Sequence, residues 1–236
     1  MITARGLTKR YGAVQVLRGI DLAIARGRVT AIIGPNGAGK TTFIKSLLGL
    51  TRPDAGILTF DGIAIGDDER YRARIGYMPQ IAHFPENLTG TELLALLRDL
   101  RGTDASDERL IDQFGMRDSL DKKLRVLSGG TRQKVNAVAA FLFAPELYVL
   151  DEPTSGLDPV ASGILKQRIL AERVASRTVI LTSHILSEID ELADDVVFLH
   201  EGQVRFADGV SELKRETGQT TVERAIATLM MREAAA

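Results

Sequence analysis

The stretch Gly34-Pro35-Asn36-Gly37-Ala38-Gly39-Lys40-Thr41-Thr42 constrains this chain more than any other. It satisfies the pattern G-x-x-x-x-G-K-[ST] at every fixed position. Immediately before it, Val29-Thr30-Ala31-Ile32-Ile33 reads as a buried strand, and after it Phe43, Ile44, Leu47 and Leu48 recur at helical spacing. Strand, glycine loop and helix in that order make a phosphate cradle. Glycines let several N–H groups converge on one anion, and the following helix adds unsatisfied donors and the positive end of its dipole. Lys40 would bring charge to the β- and γ-phosphates, and Thr41 a hydroxyl to Mg²⁺. Such a loop demands an α/β fold with a mostly parallel sheet.

The remaining chain fits that demand. Leu147-Tyr148-Val149-Leu150 is an apolar run ending in Asp151-Glu152, and Thr178-Val179-Ile180-Leu181 is another ending in Thr182-Ser183-His184. Two acids at a strand's end beside a phosphate loop suit a Mg²⁺ holder and a general base. Parallel sheets bind ligands at the carboxyl ends of their strands, which selects His184 from the three histidines as a γ-phosphate contact. His83 and His200 read as structural or solvent-facing. Ile75-Gly76-Tyr77-Met78 is a strand stopped by Pro79, leaving Gln80 on a loop where its amide oxygen could reach a metal or a water. Tyr11 precedes the loop. On residue type alone it reads as a core tyrosine, with a flat face for a purine as the alternative.

From residue 81 to 144 the texture turns helical and interrupts the strand–helix alternation, as an inserted helical subdomain would. Thr89 and Glu92 have capping-box spacing, followed by Leu93, Leu94, Leu97 and Leu100 on one face. Leu110, Ile111 and Phe114 form a second helical piece with Gly115 as its cap. The segment ends in Leu127-Ser128-Gly129-Gly130, where Ser128 should cap the next helix and the glycines let its N-terminus approach another group. This is a second anion-binding device in one chain. Asp67-Asp68-Glu69-Arg70 reads as a solvated helix start. The helix after Pro159 carries Val160, Ile164, Leu165 and Ile169. Residues 200–236 read as the end of a β-hairpin and a helix, with Thr220 and Glu223 as its capping box and Val222, Ile226, Leu229 and Met230 as its apolar stripe.

Composition sets outer limits. The 236 residues carry a net charge of −1, so there is no general attraction to nucleic acid or anionic lipid. There is no cysteine, which removes disulfides and thiolate metal sites. No stretch has the length of a signal-peptide core or a membrane span; the apolar run from Val135 to Pro145 reads as a buried helix. A soluble protein follows, with any membrane link made through a partner.

These pieces, in this order, resemble the ATP-binding subunit of an ATP-binding-cassette (ABC) transporter, over nearly the whole chain. The specific element is the combination of the glycine loop with Leu127-Ser128-Gly129-Gly130 upstream of the acidic strand end. The resemblance implies one ABC ATPase domain over residues 1–236: a P-loop NTPase core with an N-terminal antiparallel β subdomain and the helical insertion at 81–144. It implies that Tyr11 stacks on adenine and that Gly34 to Thr42 bind the phosphates. Gln80 would help hold Mg²⁺ with Thr41 and Asp151. Glu152 would polarise the attacking water, Ser155-Gly156-Leu157-Asp158 would form the D-loop, and His184 would be the switch histidine. Two departures stand out: Thr131 where glutamine is commonest, and Lys134 in place of the usual arginine. The family mechanism implies a head-to-tail dimer, with itself or a related subunit, in which Ser128, Gly129 and Gly130 of one chain close over ATP on the other. It further implies an integral membrane permease as partner and a position on the cytoplasmic face of the membrane. The short form resembles bacterial export systems, since importer subunits often carry a longer regulatory domain. A soluble ABC ATPase acting on nucleic acid or the ribosome is the competing reading; those branches usually hold two cassettes, zinc or coiled-coil elements. A nucleotide switch or small-molecule kinase would have no use for the Ser128 loop.

Overall fold

A computed structural model describes residues 1–66 and 69–234. Of the expected helix start at 67–70, Asp67 and Asp68 lie outside the described residues, and Glu69–Arg74 is a short 3-10 helix. Two sheets organise the molecule. The smaller is antiparallel, built from β1 (Ile2–Tyr11), β2 (Val14–Ile24), β4 (Ala55–Phe60) and β5 (Ile63–Ala64) in the order β2-β1-β4-β5. The larger has six strands in the order β10-β9-β3-β8-β7-β6. They are β3 (Val29–Ile33), β6 (Ile75–Met78), β7 (Leu147–Asp151), β8 (Thr178–Thr182), β9 (Asp195–His200) and β10 (Gln203–Gly209). All its neighbours run parallel except the β9–β10 hairpin.

Strands β3, β7 and β8 are buried at every residue. This is the pattern of parallel strands covered on both faces, and it is why they read as unbroken apolar runs. Alternate residues feed two cores. Val29, Ala31, Ile33, Tyr148, Leu150, Val179 and Leu181 face a helical layer. Ile32, Leu147, Val149 and Ile180 face the other way, toward the antiparallel sheet and the helix α1 (Lys40–Leu47) with its buried Phe43, Ile44 and Leu47.

The helical layer comprises α2 (Gly90–Arg101), α3 (Arg109–Gln113), α4 (Arg117–Leu120), α5 (Gly129–Phe141), α6 (Pro159–Val174), α7 (Leu186–Leu192), α8 (Val210–Thr217) and α9 (Val222–Ala234). The capping box at Thr89 and Glu92 is present in both directions, and Gly115 follows α3 with φ +61°. Several expected faces need correction. Leu93 and Leu94 are buried, but Leu100 is largely exposed, while the neighbouring Arg101 is the residue of that turn that reaches inward, to the carbonyl of Ile75 and the Phe143 ring. Val160 and Met230 are exposed as well. The cap of α9 is Thr221 instead of Thr220: the Thr221 hydroxyl accepts from the Arg224 N–H at 3.3 Å, one residue later than the spacing predicts. The C-terminal stretch holds two helices where one was expected, α8 being the addition.

Candidate functional site

Parallel register brings the sequence-predicted residues to one edge. Ile32 of β3 pairs with Thr182 of β8, Thr182 with Asp151 of β7, and Leu150 with Met78 of β6. The glycine loop, Ser183-His184, Asp151-Glu152 and the Pro79-Gln80 turn therefore all leave the carboxyl end of the same sheet, where such sheets take their ligands.

The glycine loop needs its glycines. A Cβ at Gly34 would collide with the Leu199 carbonyl, and one at Gly39, at φ +105°, would stand 2.8 Å from a Leu17 methyl. Gly39 is the N-cap of α1 and brings no side-chain cap, so the first N–H groups of the helix stay directed at the loop. Lys40 folds back over this cradle, its Nζ donating to the carbonyls of Gly34 at 2.5 Å and Pro35 at 3.0 Å. Burial pushes the Lys40 ammonium below its ordinary pKa, while the charges of Glu152 and Asp151 pull it back up. Those carboxylates thus face the same lysine across the strand ends.

Asp151 is buried, and its Oδ1 accepts from the Thr182 hydroxyl at 2.6 Å. The same hydroxyl oxygen accepts from the Glu152 N–H at 3.0 Å. Burial, with the Asp151 charge adding to it, pushes the Tyr77 phenol up to about 12. Glu152 adopts φ +50°, a left-handed conformation uncommon outside glycine, and its Oε1 meets His184 Nε2 at 2.7 Å. Thr41 and Gln80 are exposed at the same edge. Among the described residues no three His, Cys, Asp or Glu side chains cluster. One hydroxyl, one carboxylate and one amide oxygen are hard donors, and they suit a magnesium ion completed by phosphate oxygens and water.

Tyr11, at the end of β1, is not a core residue: 48% of it is exposed. Its hydroxyl lies 3.4 Å from Thr51 Oγ1, and Lys9 Nζ stands 5.5 Å from the ring centre. The ring offers an open face to solvent.

Ser128 caps α5, its Oγ accepting from the Thr131 N–H at 3.2 Å. Thr131 also answers it with a hydroxyl contact at 2.8 Å, so the residue at the unusual position takes part in the cap. Ser128 and Gly129 are exposed, and no described hydrogen bond joins them to residues 34–42. Lys134, the second departure, pairs with Asp158 at 3.0 Å, while Asp158 caps α6 by accepting from the Ala161 N–H at 2.8 Å. A groove of about 540 Å³ runs between Gln80, Ile81, Phe84, Gly129 and Gly156.

Sequence reasoning missed the residues that hold these loops in place. Gln133 is buried and donates from Nε2 to the Pro153 carbonyl at 3.3 Å. Asn136 donates to the Pro79 carbonyl at 2.7 Å and to Gln133 Oε1 at 3.3 Å. Glu188 binds Thr154 and Ser183. Nothing in the local sequence separates these polar residues from solvent-facing ones, since Pro153, Pro79 and Thr154 lie 20, 57 and 34 positions from Gln133, Asn136 and Glu188.

Comparison with known proteins identifies the family and the fold. The profile of the family described as ABC transporter matches residues 17–155. The "Daunorubicin resistance ATP-binding protein DrrA3" of Streptomyces coeruleorubidus is 37% identical over 94% of this chain and 72% of its own length. The "Nod factor export ATP-binding protein I" of Ralstonia nicotianae is 34% identical over 86% of this chain and 65% of its own length. A solved structure described as "Structure of ATP binding subunit of ABC transporter" superposes with a TM-score of 0.91 at 32% identity, covering 98% of this chain and 99% of that one. The chain therefore belongs to the ABC transporter family, as an ATP-binding, ATP-hydrolysing cassette.

Proposed function

We propose that this cassette works as a head-to-tail pair, with a second copy or a related subunit, and that ATP-driven closing and reopening of the pair powers export through a separate membrane permease. One observation carries the pairing. The chain has two anion-binding helix starts, and that of α5 is exposed at Ser128 with no bond to its own glycine loop. A device facing outward serves a phosphate held by another molecule. The names of the relatives, drug resistance and Nod factor export, support the outward direction. Among the described residues no helix is long and apolar enough to cross a membrane, which supports a separate permease. That partner would hold the cassette on the cytoplasmic face of the membrane. The exposed Ile81 beside Gln80 gives it an apolar foothold next to a nucleotide-facing loop.

The family membership and the placement of the residues support the following roles. Tyr11 stacks on the base. The N–H groups from Gly34 to Thr42 and the Lys40 ammonium take the phosphates, Lys40 giving up its loop carbonyls as it does so. Thr41, Gln80 and Asp151 hold Mg²⁺, which when bound neutralises phosphate charge. Glu152 orients the attacking water in line, and His184, already in contact with it, fixes the geometry at the γ-phosphate. Ser128, Gly129 and Gly130 of the partner complete the enclosure, and Asp158 steadies the loop between them by capping α6. Phosphoryl transfer of this kind is mostly positioning and electrostatics. Residues 81–144 form the inserted helical subdomain of the single 1–236 cassette and present Ser128 to the opposing site.

Glu152→Gln tests the reading. Turnover should fall by roughly 10²–10⁴-fold, the range for a positioned general base. ATP binding should persist, and a dimer should accumulate with ATP and Mg²⁺ in gel filtration with light scattering. Wild-type turnover in this variant, or a monomer at saturating ATP, refutes it.

A further inference from the structure

Glu188 lies outside every motif above. It sits in the first turn of α7 and is buried. Its Oε2 accepts from Thr154 Oγ1 at 2.8 Å and stands 3.4 Å from Ser183 Oγ. Thr154 comes two residues after Glu152, and Ser183 immediately precedes His184. A single carboxylate oxygen thus ties together the two loops whose Glu152 and His184 side chains meet at 2.7 Å.

The tie has something to hold. Glu152 is a non-glycine residue at φ +50°, a conformation that persists only where its surroundings over-determine it. On one side the Thr182 hydroxyl bridges Asp151 and the Glu152 N–H. The other side is the His184 loop, where the imidazole is half exposed and rests on the turn in which the Ile185 N–H bonds Ser183 Oγ at 2.9 Å. Glu188 is what joins that turn to the loop after Glu152. A buried carboxylate met, among the described residues, by hydroxyls alone is a costly stabiliser, and an apolar residue would serve packing as well.

We infer that Glu188 is a positioning residue for hydrolysis, clamping the His184 turn onto the Glu152 loop so that the two side chains stay in register at the γ-phosphate. The inference rests on the roles proposed above for Glu152 and His184, and its test separates the two. Five variants are compared with the unmodified chain: Glu188→Ala, Glu188→Gln, His184→Ala, the double variant Glu188→Ala/His184→Ala and Thr154→Val. Each is measured for kcat and for affinity toward a fluorescent ATP analogue. Glu188→Ala should lower kcat about 10- to 100-fold, the size of effect that loss of alignment produces, with nucleotide affinity within about twofold of wild type on that same view. Glu188→Gln keeps an acceptor oxygen and should recover most of the rate. In the His184→Ala background, Glu188→Ala should add no further loss, because a positioner has nothing left to position. Thr154→Val breaks the same bond from its other end and should reproduce the kcat loss, which keeps the test decisive if Glu188→Ala folds poorly. Additive losses in the double variant, an equal loss of nucleotide affinity, or wild-type kcat in Glu188→Ala overturn the inference alone. Wild-type kcat in His184→Ala overturns the histidine's role and the inference together.

Discussion

Arg168 offers the sharpest test of what holds the helical layer together. Its side chain is 5% exposed, and its Nη2 lies 2.7 Å from both Asp107 and Glu172. The guanidinium also stands 5.3 Å from the centre of the Phe141 ring. The two carboxylates are not equally dependent on it. Asp107 keeps a second cation, since Arg109 donates to it from Nε and Nη2, and Arg109 first, then Arg168, hold its carboxyl well below the usual range. Glu172 has no other ion pair among the described residues, so Arg168→Met leaves that buried carboxylate without a cation. Methionine refills most of the volume, which isolates the electrostatic loss. Breaking a buried pair from one side costs about 3–5 kcal/mol. At about 2–4 °C per kcal/mol for a chain of this size, the melting temperature should fall by roughly 6–20 °C. Adding Glu172→Leu removes the stranded charge and should recover most of that loss, because an apolar pair can replace a buried ionic one at little cost. Urea titration without nucleotide measures both variants, with an unchanged m-value confirming a common transition. A single variant within about 1 kcal/mol of wild type, less than even a weak buried pair is worth, would refute the reasoning. So would a double variant no more stable than the single one.

Lys40→Ala should weaken ATP binding at least about tenfold, or ~1.4 kcal/mol, in equilibrium titration; unchanged affinity would count against the cradle. Glu146 is held down to about 2 by Arg74 first and then Arg26. Its folded value lies below the unfolded one near about 4.3, so its stabilisation is present above that pH and is lost as pH falls toward 2. Glu146→Gln should therefore flatten the acid limb of the stability curve between those values, and parallel limbs for variant and wild type would reject this.

What could be read from sequence was what packing writes locally. Strands β3, β7 and β8 are covered on both faces, so each is an apolar run ending at a residue of the site. Thr89 with Glu92 and Ser128 with its glycines carry caps whose partners are three residues away, within reach of a spacing argument. Strand β1 was harder, because irregular register against β2 around Arg5 and Gly6 breaks the two-residue period. Helix α8 buries only Leu213 and Thr217, too few apolar positions to announce a helix. Thr220 and Thr221 are adjacent, and Glu223 favoured the wrong one; only the bond to Arg224 decides between them. The polar residues that fix the site were illegible for a different reason. Gln133, Arg168 and Glu188 sit on helices among other polar residues, and their burial comes from segments that only the fold brings near.

The buried amides of α5 give the two halves of the site a common mount. Gln133 is bonded to the carbonyl one residue after Glu152, and Asn136 to the carbonyl one residue before Gln80. Each amide also bonds the other. The same helix presents Ser128 at its exposed start and reaches Asp158 through Lys134. Gly130 packs with no room to spare against the Gly156 carbonyl, 3.1 Å from where a Cβ would stand. An opposing molecule that pulls on the Ser128 end therefore pulls on a body attached to both nucleotide-facing loops. Moving α5 without them would leave buried amide and carbonyl groups unpaired, at about 1–3 kcal/mol each. Moving it with them shifts Gln80 and Glu152 together. Asn136 Oδ1 is buried and meets no donor among the described residues. Under the pairing proposed above, engagement at the exposed start of α5 and alignment at the cassette's own strand ends would be one displacement.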